Sequence, residues 1–187
     1  RSWLVGGALG AALYHFGFEG FLAVAGPVQA KEQLGGPKAW GLTIAGWGIG
    51  GLLGVIATAR LRPRRPLRAG WLFLSLNALW MFSVAAALPI PLVMFGAILG
   101  GASADFNFFT AMTTMQLNVP EDALSRVGSY SELGMVLFMP LGLAVAGPMV
   151  DAFGPGTVCV AAGLFTLFAC MVPLSFRSLR TMEAAAA

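Results

Sequence analysis

The sequence predicts an all-α polytopic membrane protein, a bundle of six transmembrane helices. Three observations predict it. Six apolar stretches, each about 20 residues or longer and so able to cross a bilayer, take up most of the 187 residues. They are apolar nearly all round, whereas a helix of a water-soluble fold is apolar along one face. Hydrophobic residues make up 58% of the chain and charged residues 10%, with a mean hydropathy of +0.81. A soluble domain carries about 25% charged residues.

Segment one covers residues 3–25 and holds His15 and Glu19. Residues four apart share a helix face, so these two side chains can exchange a hydrogen bond or a proton. Residues 26–38 are expected as a connection. Segment two, 40–59, contains Gly46, Gly50 and Gly54. Glycines at a spacing of four let a neighbouring backbone approach closely in lipid. The following RLRPRRPLR holds Arg60, Arg62, Arg64, Arg65 and Arg68 with two prolines, which predicts a short non-helical basic loop.

Segments three, 69–88, and six, 157–176, carry no charged residue and are expected to supply lipid-facing positions. Segment four, 92–118, is the most polar, with Asp105, Asn107, Thr110, Thr113, Thr114 and Gln116. At about 1.5 Å per residue Asp105 falls near mid-membrane. Segment five, 127–150, has Gly142, Ala146, Gly147 and Pro148. Gly142, Ala146 and Gly147 are expected at helix contacts, and Pro148 is expected to bend the helix near its outer end. Glu132 follows Arg126 by six residues, and the two are expected to form a salt bridge at the membrane interface. Cys159 and Cys170 lie on one helix about 16 Å apart, beyond disulfide reach, and read as apolar packing.

The arginines orient the bundle. Lys and Arg accumulate on the cytoplasmic side. With the basic loop inside, nine Lys/Arg lie inside, Arg1, Arg126, Arg177 and Arg180 among them, against Lys31 and Lys38 outside. Both ends of the chain, including a tail at 177–187, are thus expected to be cytoplasmic in a multi-pass protein of the cell membrane. The loop serves as a topology anchor, with anionic-lipid binding as the other reading. The chain starts at Arg1 and enters an apolar helix without a charged leader or cleavage site. Its N-terminus is therefore expected to be a cut, either from a longer protein or by processing.

A net charge of +3 does not suggest nucleic acid. One histidine and two membrane-buried cysteines offer no metal site, and no phosphate-binding loop is visible. No cofactor and no enzymatic activity are expected. Function must then reside in the polar groups inside the membrane. A carboxyl there is protonated, paired or hydrated, and it can carry a proton reversibly. Asp105 and Glu19 are the main candidates for a substrate and proton pathway, with His15 and Asn107 beside them.

The stretch VPEDALSRVGSYSELG, 119–134, resembles the junction between the tenth and eleventh helices of the major facilitator superfamily. The bacterial efflux branch with macrolide and enterobactin exporters is the most similar. MPLGLAVAGPMVDAFGP, 139–155, looks like the eleventh helix and its outer turn, and 51–65 resembles the loop between helices eight and nine. The Asp and Gly usual in that loop are missing here, and Pro63 and Pro66 stand in their place, so a gating ion pair is not carried over. The resemblance covers the whole chain. It implies one six-helix half of a twelve-helix fold, with the N-terminal half of the same polypeptide as partner. In such a half the first and fourth helices line a central cavity and the third and sixth face lipid.

The expected function is proton-coupled efflux of a small amphipathic molecule by alternating access. Tyr14, Phe16, Phe18, Phe106, Phe108 and Phe109 are expected near the acids, and Arg60, Arg64, Arg65, Arg126 and Glu132 at the cytoplasmic gate. One alternative is a six-helix protein acting as a homodimer or receptor. Another is an intramembrane serine protease, since Gly101-Ala102-Ser103-Ala104 resembles the GxSx of rhomboid proteases. That family needs a histidine on its sixth core helix, and here the sixth has none.

Overall fold

Each of the six apolar stretches forms a helix in the computed structural model, which describes residues 2–183 apart from the side chains at 130 and 131. Arg1 of the charge count and residues 184–187 of the tail lie outside the described residues. Span one is α1 (Ser2–Gly20), a π turn (Phe21–Ala25) and α2 (Gly26–Gln33); span two is α3 (Pro37–Arg60). Span three is α4 (Pro66–Leu74) with α5 (Asn77–Ala85), and span four is α6 (Ile90–Asn118). Span five is α7 (Glu121–Phe153), span six is α8 (Pro155–Ser175), and a short α9 (Arg177–Arg180) follows. No strand occurs among the described residues. Helix is the only solution for an open chain in lipid, because it pairs its own backbone groups.

Span five begins at Glu121 rather than 127, and span three runs from Pro66 to Ala85 rather than over 69–88. Two further departures from the sequence expectation have local reasons. Residues 26–33 are helical, so the connection between spans one and two shrinks to 34–36. Pro27 lacks an N–H and would normally end the helix. The turn before it widens to π geometry, with Gly26 N–H bonding Phe21 O five residues back, and the helix continues. The reversal comes at Gly36, whose φ of 99° suits glycine alone. Span three is broken at Ser75–Leu76. The Ser75 hydroxyl donates to Leu72 O at 2.6 Å, and backbone bonds there tighten to i−3, as in Ala78 N–H to Ser75 O. A serine competing for the ladder bends the helix, and the break turns Asn77 into the core.

The spans pair in a pattern with internal symmetry. Span one packs along five and six; span four packs along two and three; three and six pack on each other. Exchanging the first three spans for the last three maps this set of pairs onto itself. Three spans are an odd number, so the two units cross the membrane in opposite senses. The arrangement is that of two inverted three-helix units.

Glycine makes the closest of these contacts possible. Gly46, Gly50 and Gly54 of α3 are buried, and a Cβ on each would press on the carbonyl oxygens of Met94, Ile98 and Ala102, also four apart. In return Gly101 of α6 faces Trp47 O. On α7 the contact glycine is Gly142, set against Phe16 O, with buried Ala146 one turn later. Gly147 meets nothing within 4 Å, contrary to expectation. It sits one residue beyond Ala146, about 100° around the helix from the face toward α1. Pro148 is exposed and lies inside α7 together with Pro140, a second site where the ladder loses a bond. Gly142→Val is expected to cost about 1–3 kcal/mol by overpacking, while Gly147→Val should stay within about 0.5 kcal/mol of the parent. Thermal unfolding in detergent checks this, and equal melting points for the two variants would refute it.

Spans three and six are the most buried, over 56% and 50% of their apolar windows, against 11% for span five and 28% for span two. The expectation that three and six face lipid therefore holds only for narrow stripes, such as Val160, Leu164, Phe168 and Met171 on α8. Lack of charge did not separate a lipid-facing helix from one packed against helices, since both environments are apolar. The barest apolar stripes are Ile49, Leu52, Leu53 and Ile56 on α3 and Leu133, Val136, Leu137 and Leu141 on α7. Such surfaces are covered in a membrane by lipid or by further apolar helices.

Candidate functional site

Spans one and four bring their acids to one place. With span one running to Gln33, Glu19 lies near the middle of a 32-residue helix rather than toward its end. Asp105 is likewise near the middle of α6. Both side chains line one cavity of ≈ 420 Å³, which runs along span one from Trp3 to Leu22 and is flanked by α3, α4, α6 and α7. Its size falls in the range of drug-sized sites, about 300–1,000 Å³.

The cavity's charge is one-sided. Glu19, Asp105 and Glu132 line it, with His15, and no Lys or Arg does. His15 Nδ1 and Glu19 Oε1 are 3.5 Å apart, with side chains 26% and 16% exposed, so the expected one-turn pair is formed. Asp105 has no hydrogen bond or salt bridge among the described residues. Its Oδ2 rests against Gly51, where a Cβ would sit at 2.5 Å. Glycine at 51 thus makes room for the carboxylate. Asn107 lines the same cavity and packs its Oδ1 against Gly70 of α4.

Glu132 does not pair with Arg126. Six residues of helix rotate by about 240°, which points the two side chains apart. Arg126 instead donates to the Asp122 carbonyl at 3.4 Å. Arg60, Arg64 and Arg65 are exposed around the non-helical connection at 61–65. The arginines of α9, Arg177 and Arg180, lie at the same end of the bundle, held there by fully buried Leu179.

The aromatic expectation holds in part. Tyr14, Phe18 and Phe108 line the cavity. Phe16 turns away and meets Phe165 at 5.6 Å, and Phe106 packs on Phe73 at 5.2 Å between spans three and four. Phe109 is exposed beside Phe108. Helical rotation separates neighbours in sequence: residues 16 and 18, like 106 and 108, lie about 160° apart. Trp47, unremarked in the sequence, completes the wall. Tyr14 stacks on Phe18 at 5.2 Å, and Phe18 on Trp47 at 6.0 Å. Behind them Phe21, Trp40 and Trp80 close a second aromatic cluster, with Trp40 stacked on Trp80 at 5.7 Å.

Asn77 is the polar group that the sequence reading passed over. Fully buried, it donates from Nδ2 to the Tyr14 hydroxyl, and its Oδ1 has no partner among the described residues. Tyr14 accepts this bond and keeps its own hydrogen for another partner. The Ser75 break, invisible to a hydropathy scan, sets this contact. Tyr14→Phe should cost about 1–3 kcal/mol by stranding a buried amide donor. A melting point equal to the parent's would show that the contact contributes nothing.

Other polar side chains have structural duties. Gln29 donates to Ala85 O at 3.2 Å, and Thr114 to Thr110 O at 2.8 Å. Ser103, of the GxSx-like motif, is fully buried and donates to Gly100 O at 2.8 Å, so it presents no nucleophile to a substrate. Cys159 and Cys170 are buried free thiols. A scan of the chain against protein-family models finds no match, and a search of curated proteins finds none either.

Proposed function

We propose that the chain is one six-helix bundle of a proton-coupled transporter of the major facilitator type, exporting a small amphipathic molecule across the cell membrane, with both ends cytoplasmic. The observation that carries the reading is the placement of two mid-helix carboxyls, Glu19 and Asp105, on spans one and four in one cavity. Those spans are equivalent under the inverted pairing of the two three-helix units, as expected for a fold built from such repeats. Intramembrane acids that face a cavity mark proton and substrate pathways.

In this mechanism protonation of a cavity carboxyl favours one orientation of the bundle, and substrate binds the deprotonated form. Rocking requires a second bundle. The bare stripes on α3 and α7 give it two apolar faces, and the N-terminal half of a longer polypeptide would be that partner. The test is transport by the complete protein in proteoliposomes under an imposed pH gradient, with external pH followed by a dye. Substrate movement without coupled proton flux would remove proton coupling. Absence of any flux for every amphipathic solute tried would remove transport.

A further inference from the structure

We propose that the cavity between spans one and four selects a cation: an aromatic or lipophilic amine or onium ion rather than a neutral or anionic amphiphile. The inference rests on the transport reading for the cavity being a substrate site, and it adds the chemical class. Three carboxylates and no Lys or Arg line the cavity, although the chain as a whole carries a net charge of +3. His15 can offset Glu19 at 3.5 Å. Nothing among the described residues offsets Asp105, and Glu132 has no cationic partner there either.

A ligand that fills the cavity strips water from these groups. A neutral ligand would leave the Asp105 charge desolvated and unpaired or require the carboxyl to take up a proton. An anion would add repulsion. A cation replaces the lost water with an opposite charge, as a proton does when the cavity is empty of ligand. Aromatic residues on the same lining are suited to the same ligand. Tyr14 and Phe18 are buried and Trp47 half-buried in a stack at 5.2 and 6.0 Å, and Trp47, the least covered of the three, is the ring that can attract an onium group. Met112 and Met115, also on the lining, are pliable apolar surface for the rest of the molecule.

The test is equilibrium binding of tetraphenylphosphonium to the purified protein in neutral detergent, compared with triphenylphosphine oxide, its uncharged relative. One saturable site is expected, with the cation held about tenfold tighter than the oxide or better. Asp105→Asn should abolish the preference while oxide binding persists. Equal affinity of the parent protein for the two probes would overturn the inference. So would a cation preference that survives in both Asp105→Asn and Glu19→Gln. Should the variants fail to show a melting transition, the parent's preference between the two probes decides alone. The assay needs neither a gradient nor a partner bundle, so its failure is separable from that of the transport reading. Gradient-driven carriage of a neutral solute with no cation preference would refute this inference and keep transport. Cation binding without flux of any solute would do the reverse.

Discussion

Asp105→Asn is expected to abolish proton-driven transport by the complete protein, leaving its expression and melting point close to the parent's. The amide has nearly the same shape and keeps hydrogen-bonding capacity, so the contact with Gly51 survives. It cannot release or take up a proton. Asp105 has no hydrogen bond or salt bridge among the described residues and is the acid at mid-helix on span four. The other acids on the cavity lining are Glu19, already engaged with His15 at 3.5 Å, and Glu132. The measurement is dye-monitored proton flux in proteoliposomes, with counterflow of labelled substrate as a gradient-free control. Counterflow should persist while uphill flux disappears. Undiminished uphill flux would remove Asp105 from the coupling mechanism.

The second large effect is expected at Gly50. A side chain there has no place to go, because its Cβ already overlaps the Ile98 carbonyl and the neighbouring backbone of α6. Backbone cannot swing aside as a flexible side chain can. Gly50→Leu must therefore push α3 away from α6 along the longest helix contact of the bundle, at a cost of about 3 kcal/mol or more. The expected readout is loss of a monodisperse peak in size-exclusion chromatography and a melting point lowered by several degrees, about 2–4 °C for each kcal/mol in a chain of this size. Gly48→Leu is the matched control, since a Cβ at 48 meets nothing within 4 Å. Equal behaviour of the two variants would disprove the close approach of α3 to α6.

The residues explain why some features could be read from the chain and others could not. Spacing along one helix is a local property. The glycines at 46, 50 and 54 and the pair His15 and Glu19 therefore appear in the structure as the sequence predicts. Of the small residues at 142, 146 and 147, the first two meet α1 and Gly147 does not, a choice of face that needs the neighbour's position. Composition gave no warning of the Ser75 break or of the π turn before Pro27, since both are matters of backbone hydrogen bonding within an unbroken apolar run. Asn77 and Trp47 escaped for a related reason. A single amide or indole in such a run reads as filler until the fold shows that one faces Tyr14 and the other closes the cavity. Glu132 was assigned to the interface by distance from Arg126 in sequence. Helical phase instead sends it into the cavity.

The inverted pairing of the two three-helix units bears on how the chain is threaded into the bilayer during synthesis. The two units must enter with opposite sidedness, yet they carry different instructions. The first has five arginines at its second connection, Arg60 to Arg68. The corresponding connection of the second unit, around Gly154, has Asp151 nearby and no basic residue. Whichever side retains those arginines, the second unit inherits its sidedness by parity, through the odd number of crossings before it. Moving the arginines from 60–68 to 151–156 would put them on the side of Lys31 and Lys38, against Arg126, Arg177 and Arg180. A misthreaded chain, rather than an unstable one, would be the outcome.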